Sequence, residues 1–140
     1  MFLTVDDYRV VCSEADLEII TQSSEDIRQR AERVAMDEVA GYVRSRYDID
    51  AAYAAEGCER SSLLVQITVD ISLYYLSKWL PQYMGSDVRA ELYDLAISRL
   101  KDIQKGIFSP DLPQYAPDDE NAAGAQPMIY GSMQKRSYDY

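Results

Sequence analysis

The chain has 140 residues, room for one domain, and its 47% hydrophobic and 27% charged residues allow a real core and exclude wholesale disorder. A formal net charge of −10, from 24 acidic and 14 basic residues, argues against holding a nucleic-acid backbone by charge neutralisation, which needs clustered Lys and Arg. There is no histidine, so the commonest general base and metal ligand is missing.

Thr4, followed by Val5, Asp6 and Asp7, predicts a helix start with acids in its first turn and a short helix to about Val11. Ser13 with Asp16 three residues on predicts a second short helix, whose apolar contacts are Leu17, Ile19 and Ile20. Ser23-Ser24, then Glu25 and Asp26, open the first long helix. Its apolar positions Ile27, Ala31, Val34, Ala35, Val39, Tyr42 and Val43 recur in steps of three and four. Arg28, Arg30, Glu32, Arg33 and Asp37 fall largely off that stripe. Ala31, Ala35 and Gly41 are small enough to admit a close neighbour, and the helix closes on Arg46-Tyr47. From Asp48 to Arg60 the period breaks, which predicts a loop with at most a weak helical turn in its Ala-rich part.

Ser61-Ser62 caps a second long helix. Leu64, Ile67, Ile71, Tyr74, Tyr75 and Trp79, widened by Leu63, Leu73, Leu76 and Leu80, make it the expected central element, ended by Pro81. Ser86-Asp87 starts the third long helix, with an expected core stripe of Val88, Leu92, Leu95, Ala96, Arg99 and Ile103, flanked by Leu100. Lys101 and Lys105 suit its C-terminal dipole, and Gly106 is a natural residue just past the end.

Past Gly106 the composition changes. Four of the five prolines follow, with Asp118-Asp119-Glu120, and no helical or strand period persists. The expected organisation is a helical domain over 1–106 and an extended tail over 107–140. The fold class is all-α: three long helices, one or two short N-terminal helices and a C-terminal arm. Extended, about 34 residues span on the order of 110 Å, against a radius of gyration of about 13 Å for a 100-residue domain. The arm can therefore cross its own domain and reach a neighbour. Its candidate contact residues are Ile107, Phe108, Leu112, Tyr115, Met128, Ile129, Tyr130, Tyr138 and Tyr140.

Cys12 and Cys58 sit in different segments without a C-x-x-C spacing, so two separate thiols in a reducing compartment are expected. The first residues show no basic stretch followed by an apolar run. The longest apolar candidate, 63–80, is interrupted by Gln66, Asp70 and Lys78. The expectation is an intracellular, soluble chain without a membrane partner.

Catalytic chemistry finds little support. Adjacent acids such as Asp6-Asp7 and Asp37-Glu38 point different ways on a helix and read as cap or surface charge. Asp118-Asp119-Glu120 lacks the spaced ligands and glycine of a calcium loop. No phosphate-cradling glycine motif is present. Asp70 lies within the central helix, where it could pair with an Arg on a facing helix, line a subunit contact, or be a surface acid. No catalytic, metal-binding or cofactor-binding residue is assigned, and no enzyme activity is expected.

The order of the pieces resembles the small phage head–tail connector proteins, including the Mu-type head-completion or adaptor proteins. FLTVDDY precedes the short helix EADLEII. Ala31, Ala35 and EVAGYVRSRY are similar to the family's helix ending in a Gly-Tyr-Leu…Arg-Tyr pattern. ITVDISLYYL is similar to its central helix with an embedded Asp, and a helix with Arg89, Tyr93, Ala96 and Leu100 ends at Lys105-Gly106. The likeness covers roughly 2–107. The loop after Arg46-Tyr47 lacks the family's usual prolines, and the tail is longer than expected for it.

The resemblance implies a structural virion protein at the head–tail interface, assembled in the host cytoplasm. Its partners would be further copies of itself in a ring, commonly of twelve subunits, the portal protein above, and a stopper or tail-completion protein below. Genomic DNA would pass through without specific binding, which an acidic wall suits. The C-terminal arm would bind the portal or clasp a subunit, and Gly41, Arg46, Tyr47 and Asp70 would make contacts between helices or subunits. The alternative, from a different class of function, is a small acidic regulatory binding protein such as a helical inhibitor whose acidic surface mimics DNA.

Overall fold

The computed structural model describes residues 2–22, 24–79 and 86–115, and among these it is helical with no strand. The elements are α1 (Val5–Arg9), α2 (Glu14–Gln22), α3 (Glu25–Val43), α4 (Ile49–Ala54), a 3-10 turn (Gly57–Glu59), α5 (Ser62–Trp79) and α6 (Ser86–Lys105).

Short polar side chains start these helices by taking up backbone N–H groups that have no partner inside the helix. Ser13 Oγ accepts from the Asp16 amide at 3.2 Å, Ser24 Oγ from Asp26 at 3.3 Å, and Ser61 Oγ from Leu64 at 3.3 Å. At α1 the Thr4 amide donates to Asp7 Oδ2 at 2.7 Å. The segment expected to be a loop holds α4, because Asp48 Oδ1 caps it by accepting from the Ala51 amide at 3.1 Å, while Ile49 and Ala52 bury their side chains. Pro81 lies outside the described residues.

Helices α3, α5 and α6 form a three-helix bundle in which α5 packs against both others and α1 lies across α5. Helix α5 is the central element: Leu64, Ile67, Val69, Ile71, Leu73 and Leu76 are all buried. Each such side chain contributes roughly 1.5–3 kcal/mol relative to exposure. Tyr74 and Tyr75 are half-buried, and Trp79 at the helix end is exposed.

Two expectations are corrected. Glu32, read as lying off the α3 stripe, is buried beside Ala31 and Ala35, where the Tyr8 hydroxyl of α1 donates to its Oε1 and Arg28 pairs with it at 3.6 Å. The core row of α6 is also different. Arg89, Ala96, Leu100 and Ile103 are buried, with Tyr93 half-buried, while Val88 and Leu95 are 53% and 65% exposed. Helix α6 is rotated so that its aromatic and arginine side chains reach partners on α3, α5 and the α1–α2 connection, and that turns half of the expected stripe outward.

Candidate functional site

The residues that stand out from the sequence gather most densely where the chain leaves the bundle. Helix α6 ends on Gly106 at φ +83°, with the Gly106 amide bonded to Ile103 O and the Ile107 amide to Asp102 O, the pattern of a left-handed helix stop. A second constraint acts on the same glycine. A Cβ there would lie 3.0 Å from Arg46 Nη2, so the guanidinium covers the α6 terminus, where a cation also suits the helix dipole. Tyr47, next in the chain, is buried in the core.

Residues 107–115 then run back over this end of the bundle. Leu112 packs against the core, the Asp48 amide donates to Pro113 O at 2.9 Å, and the Tyr115 hydroxyl donates to Arg44 O at 2.6 Å. The last bond satisfies a carbonyl at the α3 terminus that has no helical partner. The start of the expected arm is therefore a strap fixed to its own domain. Ile107, 73% exposed, and Phe108, with the Arg99 guanidinium 5.9 Å above its ring, remain on the outside. Met128, Ile129, Tyr130, Tyr138 and Tyr140 lie outside the described residues.

Asp70 and Gly41 are elsewhere. Asp70 is 7% exposed on the α5 face turned to α6, which removes the surface-acid reading. Burial pushes its carboxyl up to about 6, although Arg89 and Arg99 pull it down. Arg89 is buried with it. Its Nη2 donates to Val11 O at 3.0 Å, and its Nη1 has no hydrogen-bond partner among the described residues. Gly41 is exposed, and a Cβ there would meet nothing within 4 Å, so none of the described helices needs the glycine for close approach. It nevertheless costs the α3 interior about 1 kcal/mol relative to Ala.

Three polar ties escape a sequence reading, because each joins residues far apart in the chain. Tyr8 Oη donates to Glu32 Oε1 at 2.8 Å and lies 3.0 Å from Ser72 Oγ. Burial pushes both the Tyr8 hydroxyl and the Glu32 carboxyl up. Glu38 accepts from Tyr75 at 3.0 Å and from Tyr93 at 2.7 Å, with Tyr93 stacked on Tyr74 at a centroid distance of 4.0 Å, so one carboxylate ties α3 to both α5 and α6. Arg60 bonds Phe2 O at 2.7 Å and grips Asp7 at 2.7 Å and 3.2 Å. Burial raises the Asp7 carboxyl, but the bonds from Arg60 and Thr4 outweigh it and hold it below the usual carboxylate range. Only Tyr8 and Glu38 carry a local hint, a polar tip on an otherwise apolar face.

Beside the Arg60–Asp7 tie, a groove of about 490 Å³ runs between α1 and α5, walled by Val10, Val11, Cys58, Val65 and Val69. Cys58 is exposed there, and Cys12 is half-buried and not bonded to it. Among the described residues, no helix is long and apolar enough to cross a membrane. The polar ties join the N-terminal segment to α3 and to the start of α5, α3 to α5 and α6, and the root of the arm to the end of α3.

A family model described as Bacteriophage Mu, Gp36 matches residues 2–128. The match runs past Gly106 and through the strap, further than the 2–107 expected from the resemblance. No curated protein and no solved structure matches the chain.

Proposed function

The chain belongs to the bacteriophage Mu, Gp36 family, and from that premise we propose that it is a structural subunit of the phage particle, a head–tail connector. In this reading copies of the chain form a ring under the portal protein, extend the DNA channel and present a platform for a stopper or tail-completion protein. The ring sits at the head–tail interface of the virion and has no catalytic role. The observation that carries the reading is the extent of the family match, which takes in the bundle, the strap and the arm as far as residue 128 as one unit. Two features support it. The net charge of −10 suits a wall past which DNA slides without being held. The strap fixes the root of the arm to the end of the bundle, and the length of chain beyond it is enough to reach a neighbouring protein.

Purified phage particles provide the test. Mass spectrometry and electron microscopy are expected to find the chain at the head–tail junction, in many copies. Deleting 116–140 is expected to leave the melting temperature of the bundle unchanged and to yield heads that do not join tails. Absence from particles, together with capture of a host nucleic-acid enzyme, would overturn the reading in favour of an acidic inhibitor.

A further inference from the structure

The outward row of α6 is Val88, Leu92, Leu95 and Arg99, in steps of four, three and four, the spacing of a seam that packs against another helix. Leu92 is only half-buried, and Val88 and Leu95 are exposed, so the row is largely uncovered among the described residues. The exposed flank of its N-terminal half is acidic: Asp87, Glu91 and Asp94.

A different surface has the opposite character. Along α3, Arg30, Arg33, Asp37, Gly41 and Arg44 are all exposed at helical spacing, so three guanidiniums and one acid share a strip. At its middle, the space above Gly41 is open. A helix lying there would approach the α3 backbone more closely than at any position with a side chain.

We propose that the outward row of α6 packs across the exposed strip of α3 on a second copy of the chain. Val88, Leu92 and Leu95 seat over Gly41, and Asp87, Glu91 and Asp94 face Arg30 and Arg33 of that copy, whose Arg44 already pairs with its own Asp50 at 3.3 Å. The two surfaces differ, so the contact is head-to-tail: each copy uses α6 toward one neighbour and α3 toward the other. Such a contact closes into a ring or runs on as a filament. The inference rests on the connector reading and names the surfaces that would join its subunits.

Two variants of the full chain test it by complementation. Leu95→Asp disables the α6 row, and Gly41→Trp fills the strip on α3. Both positions are exposed with room around them, and circular dichroism melts check that the variants fold. In sedimentation velocity the wild type is expected to form oligomers, and each variant alone to stay monomeric. An equimolar mixture is expected to form a one-to-one dimer and stop, since the intact α6 of one variant meets the intact α3 of the other and both outer faces are disabled. Gly41→Trp assembling like wild type, a mixture that stays monomeric, or a wild type that is monomeric at every concentration would each overturn the contact. The connector reading fails separately, by absence of the chain from purified particles, whatever the sedimentation result.

Discussion

Helix α6 carries two apolar rows about a quarter-turn apart, and they meet different fates. The inward row, Arg89, Tyr93, Ala96, Leu100 and Ile103, packs on α5 and α3. The outward row, Val88, Leu92, Leu95 and Arg99, is largely exposed. By hydropathy the outward row is no worse a core candidate, since it holds one valine and two leucines. What separates the rows is the polar residues. Arg89 and Tyr93 have partners waiting at Val11 and Glu38, and the field of Asp70 favours Arg89 as well. Turning the helix the other way would take Tyr93 from the half-buried Glu38 and Arg89 from the buried Asp70, and a buried polar group left without a partner costs on the order of 1–3 kcal/mol. Buried polar side chains thus decide which way an ambivalent helix faces.

The strongest way to break this comparison is to cut into the inward row. Leu100 is fully buried between the helices. Leu100→Ala is expected to lower unfolding free energy by about 2–5 kcal/mol, the range for deleting a buried leucine side chain. Urea denaturation measures it. A loss under about 0.5 kcal/mol, typical of an exposed site, would mean that the rows are assigned the wrong way round.

Asp70 faces a charge from each row, Arg89 inward and Arg99 outward, and its titration probes the pair. The folded protein holds its proton up to about pH 6, against 3.8 for an ordinary Asp. Between these values the native state binds the proton and the unfolded state does not, so this group lowers stability as pH rises from about 4 to about 6. The shift corresponds to about 3 kcal/mol. Asp70→Asn is expected to remove that slope: measured against wild type, the variant gains about 3 kcal/mol between pH 4 and pH 7. Asp7 contributes with the opposite sign, since its lowered folded-state titration adds stability that is lost as the medium turns acidic. The comparison therefore has to be made between variant and wild type and not on the wild-type curve alone. An unchanged difference across that range would show that Asp70 titrates normally and that the arginines fully offset its burial.

The same contrast explains which parts of the fold a sequence reading could reach. The caps at Thr4, Ser13, Ser24 and Ser61, and the stop at Gly106, were legible because each is settled within a few residues by backbone groups seeking partners. The burial of α5 was legible because it is apolar nearly all round. The burial of Glu32 was not, because it depends on Tyr8, 24 positions away. The strap was read only as the start of an extended arm, because it is held by a backbone carbonyl at Pro113 and a hydroxyl at Tyr115, which leave no periodic trace. At the candidate site, Arg46 and Tyr47 were expected to make contacts between helices or subunits. The neighbour of Arg46, Gly106, is set by α3 and α6 ending side by side, which no local pattern records, and Tyr47 is buried in the core.

The smallest expected effect separates the rows by its sign. In a buried position, Val88→Ala would remove two methyl groups from a packed interior and cost roughly 1–2.5 kcal/mol. In the exposed position that Val88 occupies, little packing is lost. Helix propensity then dominates: valine is restricted at χ1 by the preceding turn, alanine is not, and the difference favours alanine by up to about 0.7 kcal/mol. Val88→Ala is therefore expected to leave stability unchanged or raise it by a few tenths of a kcal/mol, measured by urea denaturation at a concentration where the chain is monomeric. The concentration matters because a side chain that packs only between copies is indistinguishable from a core residue once the copies associate. A cost above 1 kcal/mol in the monomer would place Val88 against its own bundle and leave no outward row, whereas a neutral monomer with weakened self-association would place the methyl groups where only a second chain can cover them.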